Sequence, residues 1–156
     1  MSSPRDDAPH TGYFKDGAHR FAVRVYFEDT DLTGIVYHAN YLRFMERARS
    51  DMLRLAGIDQ RAVHAGGEGA YAVVALAIRY RNPARLDDAL VVVSGIADIR
   101  AASCVIQQRV MRGQAILTEA EVTAALVSPE GRPLRQPRHW VDAFKRLQAG
   151  DIPTDE

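Results

Sequence analysis

The chain has 156 residues, which suits one domain with a core that needs no disulfide or metal staple. Hydrophobic residues make up 47% and charged residues 26%, and the 20 basic and 20 acidic residues cancel, so there is no basic excess of the kind that nucleic-acid binding leaves, although a local basic patch for a phosphorylated ligand stays open. The single cysteine, Cys104, rules out an intrachain disulfide and points to a reducing compartment, and no run of ~18 apolar residues offers a membrane-spanning helix.

Met1 to His10 contains no apolar stretch and is not a secretory signal, so the expected location is the cytoplasm. Residues 1–18 are polar and rich in Pro, Gly and Asp, and read as a flexible tail. The folded domain is expected over residues 19–148, with a second flexible tail over 149–156. A first strand is predicted where Phe21, Val23, Val25 and Phe27 alternate with Ala22, Arg24 and Tyr26. Glu28 to Gly34 breaks that alternation with residue types that favour turns.

A helix is predicted from about Ala39 to Ala56. Tyr41, Phe44, Met45, Ala48, Met52 and Leu55 recur on one stripe, Asn40 is a candidate N-cap, and Gly57 is a stop. A short helix follows near Asp59 to Ala65. Four strands are then expected: Tyr71–Arg81, read as buried, Leu90–Ile99, Ser103–Met111 and Ile116–Val127. Their short links predict successive antiparallel hairpins. In the fourth, Ile116, Thr118, Ala120, Val122, Ala124 and Leu126 form one face, against Leu117, Glu119, Glu121 and Thr123. Cys104 reads as a small buried hydrophobe. A last helix covers His139–Leu147, anchored by Trp140. The order is α+β, with one curved antiparallel sheet against one long helix.

The stretch from Glu28 to Tyr41 carries the chemistry. Three acids, a glycine and a histidine immediately precede the long helix, whose start presents unpaired backbone N–H groups and the positive end of the dipole. Such an end can stabilise an oxyanion, and a carboxylate beside it can attack a carbonyl or deprotonate a water that does. Spacing alone leaves two other readings open: solvated turn residues that stabilise the helix start, and a metal site from Asp29, Asp31 and His38, for which no second His completes a ligand set.

Glu28-Asp29-Thr30-Asp31-Leu32-Thr33-Gly34-Ile35-Val36-Tyr37-His38-Ala39-Asn40-Tyr41, followed by Phe44-Met45-Glu46-Arg47-Ala48-Arg49, resembles the hotdog-fold acyl-CoA thioesterases of the 4-hydroxybenzoyl-CoA thioesterase family, in particular the branch associated with the Tol-Pal cell-envelope system. The likeness continues through Tyr80-Arg81-Asn82-Pro83-Ala84-Arg85-Leu86-Asp87-Asp88 and Glu119-Ala120-Glu121-Val122. It implies a five-stranded antiparallel sheet wrapped around the long helix, and hydrolysis of acyl-CoA to free acid and CoA with no metal or organic cofactor. It also implies homodimers or homotetramers with active sites between protomers.

The resemblance makes Asp31 the catalytic carboxylate, as nucleophile or general base, and gives Asp29 a structural role in the turn. It places His38 where a helix-start N–H polarises the thioester, with the imidazole as a second catalytic group or a packing residue. Gly34, Val36, Tyr37 and Tyr41 are expected at the substrate. Glu46 could serve the site or a dimer contact. Arg79, Arg81 and Arg85 are candidates for the phosphates of CoA, Arg81 and Arg85 above Arg79.

Two other functions compete. A hotdog hydratase or dehydratase would carry an Asp-x-x-x-x-His arrangement, whereas Asp31 and His38 are further apart, with Gly34 between them. A non-catalytic acyl-CoA binder or scaffold would keep binding when Asp31 is replaced.

Overall fold

A computed structural model of the chain describes residues 7–67 and 69–151. Strands β1 (Tyr13–Lys15) and β2 (Ala18–Arg24) lead through a 3-10 turn at Phe27–Asp29 and a loop into helix α1 (Asn40–Leu55). Helix α2 (Gln60–Ala65) precedes β3 (Ala70–Tyr80), β4 (Ala89–Ile99), β5 (Ser103–Arg112) and β6 (Ala115–Val127), and α3 (Arg138–Gln148) follows. The strands form one antiparallel sheet in the order β1-β2-β4-β5-β6-β3. The α+β layout expected from the sequence is present. Among the described residues no helix is long and apolar enough to cross a membrane.

The sheet has six strands rather than five. The extra one, β1, is three residues long, too short to show a periodicity, and lies in the stretch read as tail. Asp16 and Gly17, at φ 52° and 80°, form the two-residue turn that folds β1 onto β2. The ordered domain therefore begins before residue 19. Residues 1–6 and 152–156 of the expected tails lie outside the described residues. β2 also ends earlier than expected: Phe27 sits in the 3-10 turn and is 82% exposed.

Strand β3 differs most from expectation. It pairs with β6 and not with β4, so the link from Arg81 to Asp88 crosses to the other side of the sheet instead of closing a hairpin. As an edge strand it leaves Val73, Val74, Leu76 and Tyr80 exposed, whereas the apolar run had read as buried. On β6 Thr118, Ala120, Val122, Ala124 and Leu126 of the expected face are buried, and Ile116 is half-buried. Leu117 joins it in the core, because the register against β5 slips beside it, between Val110 and Met111.

Helix α1 is held by packing. Ala39 supplies no side-chain cap, and Asn40 is the first helical residue rather than the cap. Tyr41, Phe44, Met45, Ala48 and Met52 are buried on the predicted stripe, joined by Leu53, while Leu55 is half-buried. Burying Phe44, Met45 and Met52, each at most 1% exposed, contributes roughly 1.5–3 kcal/mol apiece, against ~1 kcal/mol for the missing cap. The first half of α1 packs with Val25, Val36, Val92 and Val122, and the second half with Ile58, Ile106, Trp140 and Phe144. Trp140 is 5.8 Å from the Tyr71 ring and anchors α3, as expected. The start of α1 is thereby fixed against the loop that precedes it.

Candidate active site

The loop before α1 is tied at both ends. Asp29 is buried, accepting a hydrogen bond from the Tyr26 N–H at 2.8 Å on one oxygen and from the Asn40 side-chain amide on the other. Its carbonyl accepts from the Tyr37 N–H at 2.9 Å. Both carboxylate oxygens are thus occupied in joining the turn to the helix start, which is the structural role expected and leaves little for a metal. Thr30 and Val36 bridge across the loop, and the Asp31 N–H reaches the Ile35 carbonyl at 2.9 Å. The chain reverses at Gly34, φ 82°, a conformation that a side chain would strain.

This path sets Asp31 on the rim, exposed to solvent. Its Oδ1 accepts hydrogen bonds from the Thr33 N–H at 2.8 Å and from the Thr33 hydroxyl. Those bonds hold the carboxyl below the usual carboxylate range, so Asp31 is ionised at neutral pH. Among the described residues no protein acceptor takes the backbone N–H of His38 or Ala39. The helix start therefore offers free donors beside a carboxylate.

Asp31, Val36, His38, Tyr41 and Arg81 line one open hollow together with Ile35, Tyr80, Asn82 and Pro83. Five of the eight expected site residues thus meet; Gly34, Tyr37 and Arg85 shape its surroundings. The Tyr37 and His38 rings meet at a tilt of 53°, 4.5 Å between centres, and the Arg85 backbone bridges Ile35. The Arg81 guanidinium is paired with Glu119 at 2.7 Å, and Arg79 lies over a separate groove on β3, β5 and β6.

Tyr80, Asn82 and Thr33 join the site without having been expected there. The Tyr80 hydroxyl donates to the His38 carbonyl at 2.7 Å, and its ring packs against Tyr41. The Tyr41 hydroxyl accepts from the Ala84 N–H at 3.0 Å, so it ties the 81–88 link to α1 as well as lining the hollow. Tyr80 opens the second stretch of family likeness, but only the fold shows β3 ending beside α1. The Asp-x-Thr spacing was the local signal for the Thr33 turn.

A second cavity is lined by Arg49 and Leu53 of α1, Tyr71 and Val73 of β3, Ile106 of β5 and Phe144 of α3, among others. It is mainly apolar, with Glu46, Arg49 and Ser50 at one wall. It shares no lining residue with the hollow at Asp31, though α1 and β3 contribute to both.

Comparison with known proteins bears on the family and the fold. A family model described as the thioesterase-like superfamily matches residues 25–151. The acyl-CoA thioesterase YbgC of Haemophilus influenzae is 39% identical over 134 residues, covering 85% of this chain and 98% of that protein. The acyl-CoA thioester hydrolase YbgC of Escherichia coli is 42% identical over 129 residues, covering 81% and 96%. Among solved structures, a probable thioesterase from Bartonella henselae superposes with a TM-score of 0.74 at 37% identity, covering 77% of this chain and 99% of that one. The chain belongs to the thioesterase-like superfamily and has its hotdog fold.

Proposed function

We propose that the chain is an acyl-CoA thioesterase that cleaves its substrate in the hollow before α1, with the Asp31 carboxylate as nucleophile or general base. The activity class follows from relatives that are acyl-CoA thioester hydrolases over nearly their whole length. The observation that carries the site is an ionised, solvent-reached carboxylate in one hollow with the start of α1. The N–H groups of His38 and Ala39 polarise the thioester carbonyl and stabilise the oxyanion that forms on it. Either Asp31 attacks the carbonyl carbon and expels CoA thiolate, leaving an acyl anhydride that water hydrolyses, or it takes a proton from the water that attacks. The His38 ring, packed at a tilt against Tyr37, contacts the substrate or passes a proton.

Val36 and Tyr41 form the wall behind the thioester, Gly34 and Tyr37 shape the rim, and Arg81 and Arg85 meet the phosphates of CoA. The Arg81–Glu119 pair is exposed and contributes little, so Arg81 can exchange its partner. The acyl group is taken up by the mainly apolar cavity that α1 and β3 help to line. The open apolar edge of β3 supports pairing with a second copy, giving a homodimer or homotetramer with sites between protomers. A cytoplasmic location is supported by the single free Cys104, and a role beside the Tol-Pal system by the motif resemblance alone.

The test is thiol release from a panel of short-chain, long-chain and benzoyl-type acyl-CoAs. Single turnover in water labelled with heavy oxygen, followed by rapid quench, then separates the two roles: label in Asp31, or an acyl-Asp31 adduct in the quenched enzyme, identifies the nucleophile, and label in the product alone with no such adduct identifies the base. No release from any member, with acyl-CoA still bound, would replace the enzyme with a binder.

A further inference from the structure

The most enclosed ionisable pair lies away from the hollow. His19 on β2 is fully buried, and its Nε2 is 2.7 Å from Oδ2 of Asp51, a residue in the second half of α1 that is 2% exposed. The same oxygen accepts the Gly12 N–H at 2.9 Å. One carboxylate oxygen thus binds the segment before β1, the strand after it, and the helix. There is no slack at Gly12, where an added Cβ would stand 2.4 Å from the Arg20 carbonyl oxygen and 2.8 Å from Asp51 Oδ2.

Apart from Asp51, the groups packed around His19 offer nothing to a charged ring. From α1 come Asp51 and, at 3.6 Å on its Oδ1, the exposed Arg54. From β1 comes Phe14, edge-on to the His19 ring, and from β2 itself Phe21, stacked at 6.5 Å. The segment before β1 adds His10, which packs on the far ring of Phe21, and β4 adds uncharged Ser94 as the register partner. His19 Nδ1 is buried and has no acceptor. Neutral His19 donates its Nε2 hydrogen to Asp51 and leaves only a lone pair unmatched, whereas the imidazolium would bury an N–H donor with nothing to receive it.

We propose that Gly12, His19 and Asp51 form an acid-sensitive latch that holds the segment before β1, and β1 itself, against β2 and α1, releasing them at mildly acidic pH while β2 and the rest of the sheet stay folded. Burial pushes His19 below its ordinary range, against the opposing pull of Asp51. Once unlatched and exposed, His19 takes up a proton at ~6.5, before the latched ring does, and the latch weakens as pH falls below that point. β1 contacts only β2 in the sheet, so release breaks one three-residue ladder and not the core pairings.

The test is hydrogen exchange of the full chain, read by mass spectrometry between pH 7.5 and 5.0 and corrected for the intrinsic pH dependence of exchange. In the wild type, opening of residues 8–18 relative to β5 rises as pH falls, by up to about tenfold for each unit by which His19 is depressed. His19→Phe keeps the ring packing and flattens this response. Asp51→Asn opens the segment already at pH 7.5. Wild-type opening that does not change with pH, an unchanged response in His19→Phe, or wild-type protection at pH 7.5 in Asp51→Asn would each overturn the latch. Thiol release at pH 7.5 is measured on the same samples, so loss of the latch is distinguished from loss of the enzyme.

Discussion

At the residue scale, the two aspartates of the motif are separated by what their oxygens do. Asp29 is buried with both oxygens occupied, and Asp31 is on the rim with Oδ1 held by Thr33. Thr33 therefore tunes the reactive carboxylate without needing to touch substrate. Replacing its hydroxyl in Thr33→Val removes one of the bonds that lower the Asp31 pKa and keeps the backbone one. A carboxylate that must be ionised loses activity as pH falls through its pKa, so the acid limb of kcat/KM moves upward in Thr33→Val, with the neutral-pH plateau within a few-fold of wild type. An unmoved acid limb would mean that Asp31 does not set it. The motif made Asp31, Val36, His38, Tyr41 and Arg81 legible, and they share a hollow. Tyr80 was not singled out because its part in the site depends on β3 pairing with β6, a pairing 38 residues away along the chain at Tyr80–Thr118 that local pattern does not encode.

At the scale of elements, α1 was the easiest to read, because its stripe of Tyr41, Phe44, Met45, Ala48 and Met52 recurs at helical spacing over four turns. β1 was hidden by its length, and the sign that betrays it is the Asp16-Gly17 turn rather than any alternation. β3 was legible as a strand but not as an edge, since an apolar run reads the same whether it is covered by its own fold or by another chain. Self-association separates the two cases. Val74, 57% exposed at the irregular point of β3, would be covered by a second copy. Val74→Lys places a charge there and takes one apolar side chain out of each protomer's half of the interface. Each such replacement weakens self-association by roughly tenfold or more. Sedimentation should show the wild type as a dimer or larger and the variant shifted towards monomer, with its circular dichroism unchanged. A wild type that sediments as a monomer would remove the shared-site arrangement.

At the scale of the whole molecule, sheet, helix and loop have separable tasks. The sheet and the buried stripe of α1 hold the helix start in place, the Asp29–Asn40 tie sets the loop against it, and the loop presents Asp31 where unpaired N–H groups emerge. The latch at Gly12, His19 and Asp51 and the hollow at Asp31 lie at different parts of α1, so attachment of β1 and chemistry at the helix start can be altered separately. The proposed reaction stands or falls with Asp31, and the measurement that reaches this most directly is single-turnover hydrolysis of one good acyl-CoA by wild type and Asp31→Asn, with binding of CoA titrated on both. The predicted result is a fall in the chemical rate of at least ~10²-fold with CoA affinity within a few-fold of wild type. An Asp31→Asn enzyme that hydrolyses as fast as wild type would contradict this role and move the search for the carboxylate elsewhere in the cleft.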